Sequence, residues 1–254
     1  PARLRCQLFR QHGIGHGDVT LADALAQSCN VYFFHHAEAL GGAALLEMAR
    51  QFGFGAATGI AVDHEAAGQL PTDEQLRSLE LRRYLTVGKG GVTATPLQVV
   101  RFYAALANGG YLVEPRLTRE RVTPAAAMVE AASSDVRGRK ITGLSPATLA
   151  AVRSGLERVV ADPSGTAYGT VRIASLAIAG KTGTAETGAQ QDDHAWFAGY
   201  APSDAPRVAF VVVVEHGGSG ATVAGPVAKS LVQAMQQLGY FAQGPMADRP
   251  AVRR

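Results

Sequence analysis

The last third of the chain constrains its fold most. Residues 171–186 (VRIASLAIAGKTGTAE), 194–201 (HAWFAGYA) and 207–215 (RVAFVVVVE) read as three strands, joined by short connections that contain Asp, Gly or Pro. Short connections join neighbouring strands only in antiparallel pairing, because a parallel pair needs a crossover of a dozen or more residues. The spacing therefore predicts an antiparallel meander, with 208–214 as a buried central strand. The stretch GPVAKSLVQAMQQLG (225–239) predicts a closing helix.

Upstream, the periodicity is helical. Thr20-Leu-Ala-Asp23 has the capping-box pattern and opens a short helix through Gln27. Ser28-Cys29-Asn30 interrupts it, and further helical stretches at 31–40 and 43–52 stop at Gly41-Gly42 and Gly53. Residues 55–95 are Gly-rich and irregular, with a short helix predicted at 72–82. Thr95-Pro96 and Ser145-Pro146 each set a capping residue before a proline, the signature of a helix start. Helices, then a meander, then a closing helix is an α+β order, unlike the βαβ alternation of a doubly wound sheet.

Composition narrows the function classes. With 254 residues, no linker and 47% hydrophobic content, one large domain with its own core is expected. A net charge of +3 is too diffuse for a nucleic-acid partner, though it suits work near anionic surfaces. The longest apolar run, Val208 to Val214, has only a strand's length and spans no membrane. Cys6 and Cys29 are too few for a disulfide framework. The chain opens at Pro1 without a Met and reads as the C-terminal part of something longer.

Two motifs carry chemistry. The first is IAGKTGTAE (178–186). Gly180-Lys181-Thr182 fails as a phosphate loop: the required earlier glycine position is Ser175, inside a strand, and no helical pattern follows. Lys181-Thr182-Gly183 instead puts an ammonium and a hydroxyl side by side on a strand, beside a glycine whose backbone a ligand can approach. This triplet accompanies Ser-x-x-Lys and Ser-x-Asn motifs in penicillin-binding proteins and class A β-lactamases. The second motif is Ser28-Cys29-Asn30, in a break between helices. Alone, it reads as a helix cap.

Taken with GHGDVTLADALAQSCNVYFFHHAEALG, GKGGVTATPLQVVRFYAALANGG, ADPSGTAYGTV and AWFAGYAPSDAPRVAFVVVVEHG, the two motifs give the chain its likeness. It resembles the later part of a class B penicillin-binding protein, most like the elongation-type peptidoglycan D,D-transpeptidases. The resemblance implies a penicillin-binding-protein/β-lactamase-like α+β fold, with a five-stranded type of antiparallel sheet flanked by helices. It implies residues 1–240 as the C-terminal part of a transpeptidase domain, followed by a disordered tail at 241–254. It also implies cross-linking of peptidoglycan stem peptides, covalent reaction with β-lactams, no required cofactor, and a place at the extracytoplasmic face of the plasma membrane (periplasm). The anchor would be an N-terminal helix outside this chain, and a partner would be a glycosyltransferase of the elongation machinery.

By the same resemblance, Ser28 passes a proton to the leaving D-Ala nitrogen, and Asn30 bonds a peptide carbonyl and a catalytic lysine. Lys181 attracts the substrate carboxylate, which Thr182 and Thr184 would bond. Gly183 keeps the strand open, and the Thr184 N–H is an oxyanion donor. The family's nucleophile lies in a Ser-x-x-Lys motif, and no Ser in this sequence has Lys three residues on. A β-lactamase or β-lactam sensor remains an alternative, although no Glu has Asn four residues on, as a class A deacylating site would require. A non-catalytic binding scaffold is the other alternative.

Cys6, His12, His16 and Cys29 raise a separate option, a structural zinc at Cys6, His16 and Cys29 bracing Ser28. The favoured reading has Cys29 as a small buried hydrophobe and the histidines in an exposed loop. Gly88-Lys-Gly-Gly91 is read as loop, His35-His36 as ordinary helix residues, and Trp196 and Phe197 as packing under the sheet.

Overall fold

The computed structural model describes residues 5–117, 138–188 and 191–242. Helices α1 (Gln7–His12), α2 (Leu21–Ala26), α3 (Asn30–Leu40) and α4 (Gly42–Gln51) come first. The Thr20 hydroxyl accepts the Asp23 N–H and the Asp23 carboxylate accepts the Thr20 N–H, so the capping box that opens α2 is closed. The predicted helix at 72–82 splits at Ser78. A 3₁₀ turn covers Gln75–Arg77, and Ser78 then caps α5 (Leu79–Leu85). Thr95 and Gln98 close a second capping box on α6 (Pro96–Ala107).

A small ribbon pairs β1 (Tyr111–Val113) with β2 (Gly138–Lys140). Ser145 caps α7 (Pro146–Ala161), and a single turn, α8 (Tyr168–Val171), follows. Strands β3 (Ala179–Ala185), β4 (His194–Ala201) and β5 (Val208–Val214) form the antiparallel meander in that order. A π-helical turn at Gly220–Ala224 leads into α9 (Gly225–Gln237).

The sheet separates two cores. Phe197, Phe210 and Val212 face Ala228 and Val232 of α9, while Ala179, Ala198 and Tyr200 face Tyr103 of α6 and Leu156 of α7. In register, Lys181 lies opposite Ala198 and Thr182 opposite Phe197. Lys181 therefore shares the α6/α7 face and Thr182 the α9 face.

Several expectations are corrected. The stretch 171–186 is not one strand: Val171 is buried at the end of α8, an isolated bridge joins Ile173 to Leu176, and β3 begins only at Ala179. Among the described residues the main sheet has three strands rather than five. Among the described residues the strand 208–214, expected to be central, lies at an edge of that order. Its unbroken apolar run reflects two covered faces, with α6 on one side and α9 on the other, and says nothing about paired edges. Of the expected tail, Phe241 packs against the core, and residues 243–254 lie outside the described part. The α+β class with an antiparallel sheet between helices stands.

Candidate active site

Ser28 sits in the turn that ends α2. Its N–H donates to the Leu25 carbonyl at 3.3 Å, and the Cys29 N–H returns to Ala24 at 2.8 Å. This folding-back gives Ser28 a φ of 55°, in the left-handed region. A non-glycine residue held there costs on the order of 1–3 kcal/mol, a kind of strain that gathers at functional sites. Cys29 is buried and anchors the turn, while Ser28 and Asn30, on either side of it, stay half-buried. Asn30 begins α3.

Lys181 projects from the strand as an unusual cation. Part of its side chain is reachable by solvent, yet it sits among enough protein atoms that burial pulls its ammonium from 10.5 down to about 8. Burial is the whole cause, and among the described residues no carboxylate helps to hold the charge. Its Nζ donates to the Thr182 carbonyl at 3.2 Å and approaches Thr182 Oγ1 at 3.4 Å. Gly183 lies opposite Trp196, where a Cβ would come within 3.2 Å of the Trp196 Cβ. Thr184 Oγ1 accepts the Gly220 N–H at 3.4 Å.

The Ser28 turn and the Lys181 strand are linked through a residue that the sequence reading gave no role. The Thr166 N–H donates to Ala26 at 3.0 Å, two residues before Ser28. Its hydroxyl meets Thr182 Oγ1 at 2.9 Å. No local pattern could have singled it out, because its two partners come from α2 and β3. Gly220 was missed for the same reason: only a residue without a Cβ fits beside the backbone oxygens of Gly183 and Trp196, which is visible only in three dimensions. Beyond Thr184, an exposed ion pair between Lys89 and Glu186 ties the Gly88–Gly91 loop to the chain just after β3. His35 and His36 are exposed on α3, and Phe197 is fully buried under the sheet.

The zinc option is not met. Cys6 and Cys29 are free and buried, and among the described residues no group of three or more Cys, His, Asp or Glu is placed to hold a metal ion. Burial lowers the His16 pKa. Two cavities of about 610 Å³ lie elsewhere, one beside Thr58 and Glu114, the other beside Ser175 and Pro202. The chemistry-bearing residues line neither.

Comparison with known proteins places the chain in one family. The family model of the penicillin binding protein transpeptidase domain matches residues 5–233. The chain belongs to that family. It is of the class B type, homologous to the elongation-type penicillin-binding proteins. The peptidoglycan D,D-transpeptidase MrdA of Haemophilus influenzae is 30% identical over 86% of the chain and 36% of the relative. The stage V sporulation protein D of Bacillus subtilis is 31% identical over 94% of the chain and 37% of the relative. A Pseudomonas aeruginosa PBP2 structure superposes with a TM-score of 0.74 at 33% identity, covering 87% of this chain and 48% of that one. A Helicobacter pylori PBP2 structure, solved in complex with MreC, gives 0.76 at 28% identity, covering 89% and 41%. The chain thus spans a little over a third of the length of these two curated relatives.

Proposed function

We propose that this chain is the later part of the catalytic domain of a peptidoglycan D,D-transpeptidase, with residues 1–240 forming that part. The observation that carries the reading is Lys181: a half-buried ammonium beside the Thr182 hydroxyl, with no carboxylate partner among the described residues, on a strand of a transpeptidase-family sheet. Such a cation has given up part of its water without gaining a counter-ion. A peptide C-terminal carboxylate would supply one, with Thr182 and Thr184 donating to it.

In the proposed reaction a serine from sequence outside these 254 residues attacks the carbonyl of the penultimate D-Ala, and its hydroxyl proton passes to the lysine of its own Ser-x-x-Lys motif. The C–N bond breaks, and the departing D-Ala nitrogen takes a proton passed on by Ser28, whose hydroxyl both donates and accepts. The Thr184 N–H stabilises the oxyanion, and Asn30 orients the peptide carbonyl. An acceptor amine from a second stem peptide then attacks the ester; the new amide bond forms, the ester bond to the serine breaks, and a proton lost by the amine passes to the serine oxygen. β-Lactams present the same carbonyl and carboxylate and acylate the serine. The protein would act at the outer face of the plasma membrane, with a partner in the elongation machinery. No helix among the described residues is long and apolar enough to cross a membrane.

Labelling with fluorescent penicillin tests the proposal, on the natural protein that carries this chain. A covalent band that survives denaturation is expected, and Lys181→Ala should abolish it while leaving the circular dichroism unchanged. No band from the wild-type protein would refute the catalytic reading in favour of a binding scaffold. Rapid loss of the label with release of hydrolysed penicillin would move the assignment to a β-lactamase.

A further inference from the structure

The structure assigns Thr166 as a positioning residue. Backed by Arg158, it sets how the Ser28 turn stands relative to the Lys181 strand. This rests on the transpeptidase reading above, since it concerns the same site.

The argument begins at the end of α7. Arg158 reaches two carboxylates at once: Nη1 lies 2.7 Å from Asp23 Oδ1 on α2, and Nη2 lies 3.0 Å from Asp162 Oδ2 in the loop that follows α7. Asp23 uses its other oxygen to close the α2 capping box. Asp162 uses its other oxygen to accept the Ser164 N–H at 2.9 Å and hydroxyl at 2.7 Å. One guanidinium therefore holds the start of α2 and the shape of the loop together. The loop has little slack after that, because a Cβ at Gly165 would fall 2.4 Å from the carbonyl oxygens of Arg158 and Val159.

Thr166 comes next and faces two ways. Its N–H holds the last residue of α2 through Ala26, and its hydroxyl meets Thr182 Oγ1, the same atom that Lys181 Nζ approaches. Helix α2 is thus fixed at its first turn by Arg158 and at its last by Thr166. The hydroxyl also limits the directions in which Thr182 can turn. The backbone bond and the ion triad serve stability as well as position. The hydroxyl pair, by contrast, ends on the site residue Thr182.

The triad keeps its charge across the working range. Hydrogen bonds from Thr20, then Arg158, hold Asp23 at about 2. Those from Ser164, then Arg158, hold Asp162 low, and Asp162, then Asp23, raise Arg158. A change in pH dependence on altering Thr166 would therefore not come from the brace, and the Lys181 titration followed by NMR assigns it.

The test is Thr166→Val in the natural protein, which keeps shape and backbone bonds but removes the hydroxyl. The second-order rate of penicillin acylation should fall about 10-fold, and its basic pH limb should move. Unfolding should be unchanged, and Thr166→Ser should restore the rate. Arg158→Gln should also slow acylation, and the double variant should be no slower than the slower single, because both act through one loop. A Thr166→Val rate and pH profile equal to wild type would overturn the inference and leave the transpeptidase reading intact. So would singles whose effects multiply in full. If wild type itself takes no label, the transpeptidase reading falls. The coupling is then decided by the Lys181 titration followed by NMR, where a midpoint identical in wild type and Thr166→Val would overturn it.

Discussion

Lys181 should make the protein less stable than it could be, and removing its charge should show this. Burial holds its ammonium at about 8 instead of 10.5. That is about 2.5 units, and at about 1.36 kcal/mol per unit the folded state carries a penalty of ~3.4 kcal/mol. This is an upper bound, because the side chain keeps some contact with water. The sign follows from proton counting. At pH 7 the lysine is protonated both folded and unfolded, so the full penalty is present. Between pH 8 and 10.5 the unfolded chain holds a proton that the folded chain has released, so stability rises with pH, and above 10.5 the penalty is gone. Lys181→Met keeps the length of the stem and removes the charge.

The variant should be more stable than wild type by about 2–3 kcal/mol at pH 7, with the gap closing between pH 8 and 10.5. Urea unfolding of both proteins at several pH values measures it. The difference between them is the quantity to follow, because burial pushes Tyr200 up to about 12 and Tyr103 higher still, and both proteins share the resulting loss above pH 10. A variant that is no more stable at pH 7, or a gap that does not change with pH, would refute the reasoning. Penicillin acylation should be lost in the same variant, so stability and activity would move in opposite directions, as expected where a site stores strain.

Gly220→Ala would place a Cβ 2.1 Å from the Gly183 carbonyl oxygen and 2.5 Å from that of Trp196, and neither backbone can yield without moving β3. Acylation should drop at least about 10-fold, and a wild-type rate would count against the close packing. Gln98→Leu removes a buried amide that donates to Ala56 and Ala67, both at 2.8 Å, and accepts the Thr95 N–H at 2.9 Å. Leaving those groups unpaired should cost about 3 kcal/mol in urea unfolding, while acylation per folded molecule stays unchanged.

The legible parts of the fold were those written in neighbouring residues. Thr20 with Asp23, Thr95 with Pro96 and Ser145 with Pro146 each announce a helix start, because a cap is a contact three residues long. The meander was legible from its short connections and apolar strands. What went astray concerned context beyond the segment. The stretch 171–178 has strand composition but is folded to bury Val171, and the apolar run 208–214 could not reveal whether its edges were paired. At the site, Lys181 and Ser28 stood out because they lie within short motifs. Thr166 and Arg158 did not, because a threonine that bonds one partner on α2 and another on β3 leaves no trace in local spacing.

The lone charge of Lys181 also determines what a ligand must do to protons. An ammonium held at about 8 by burial alone regains its ordinary affinity when an anion is set beside it. At pH 8 it is half protonated in the free protein, and a bound carboxylate that restored 10.5 would make it fully protonated. Binding a peptide ending in D-Ala-D-Ala should therefore take up about 0.5 proton at pH 8 and almost none at pH 6. Calorimetry in two buffers of different ionisation enthalpy reads that number directly. A neutral ligand of the same shape should take up none. Uptake that is absent at pH 8 with the carboxylate bound would place the anion away from Lys181. The lysine would then steer the approach of the substrate without holding it, and the roles given to Thr182 and Thr184 would fall with that contact.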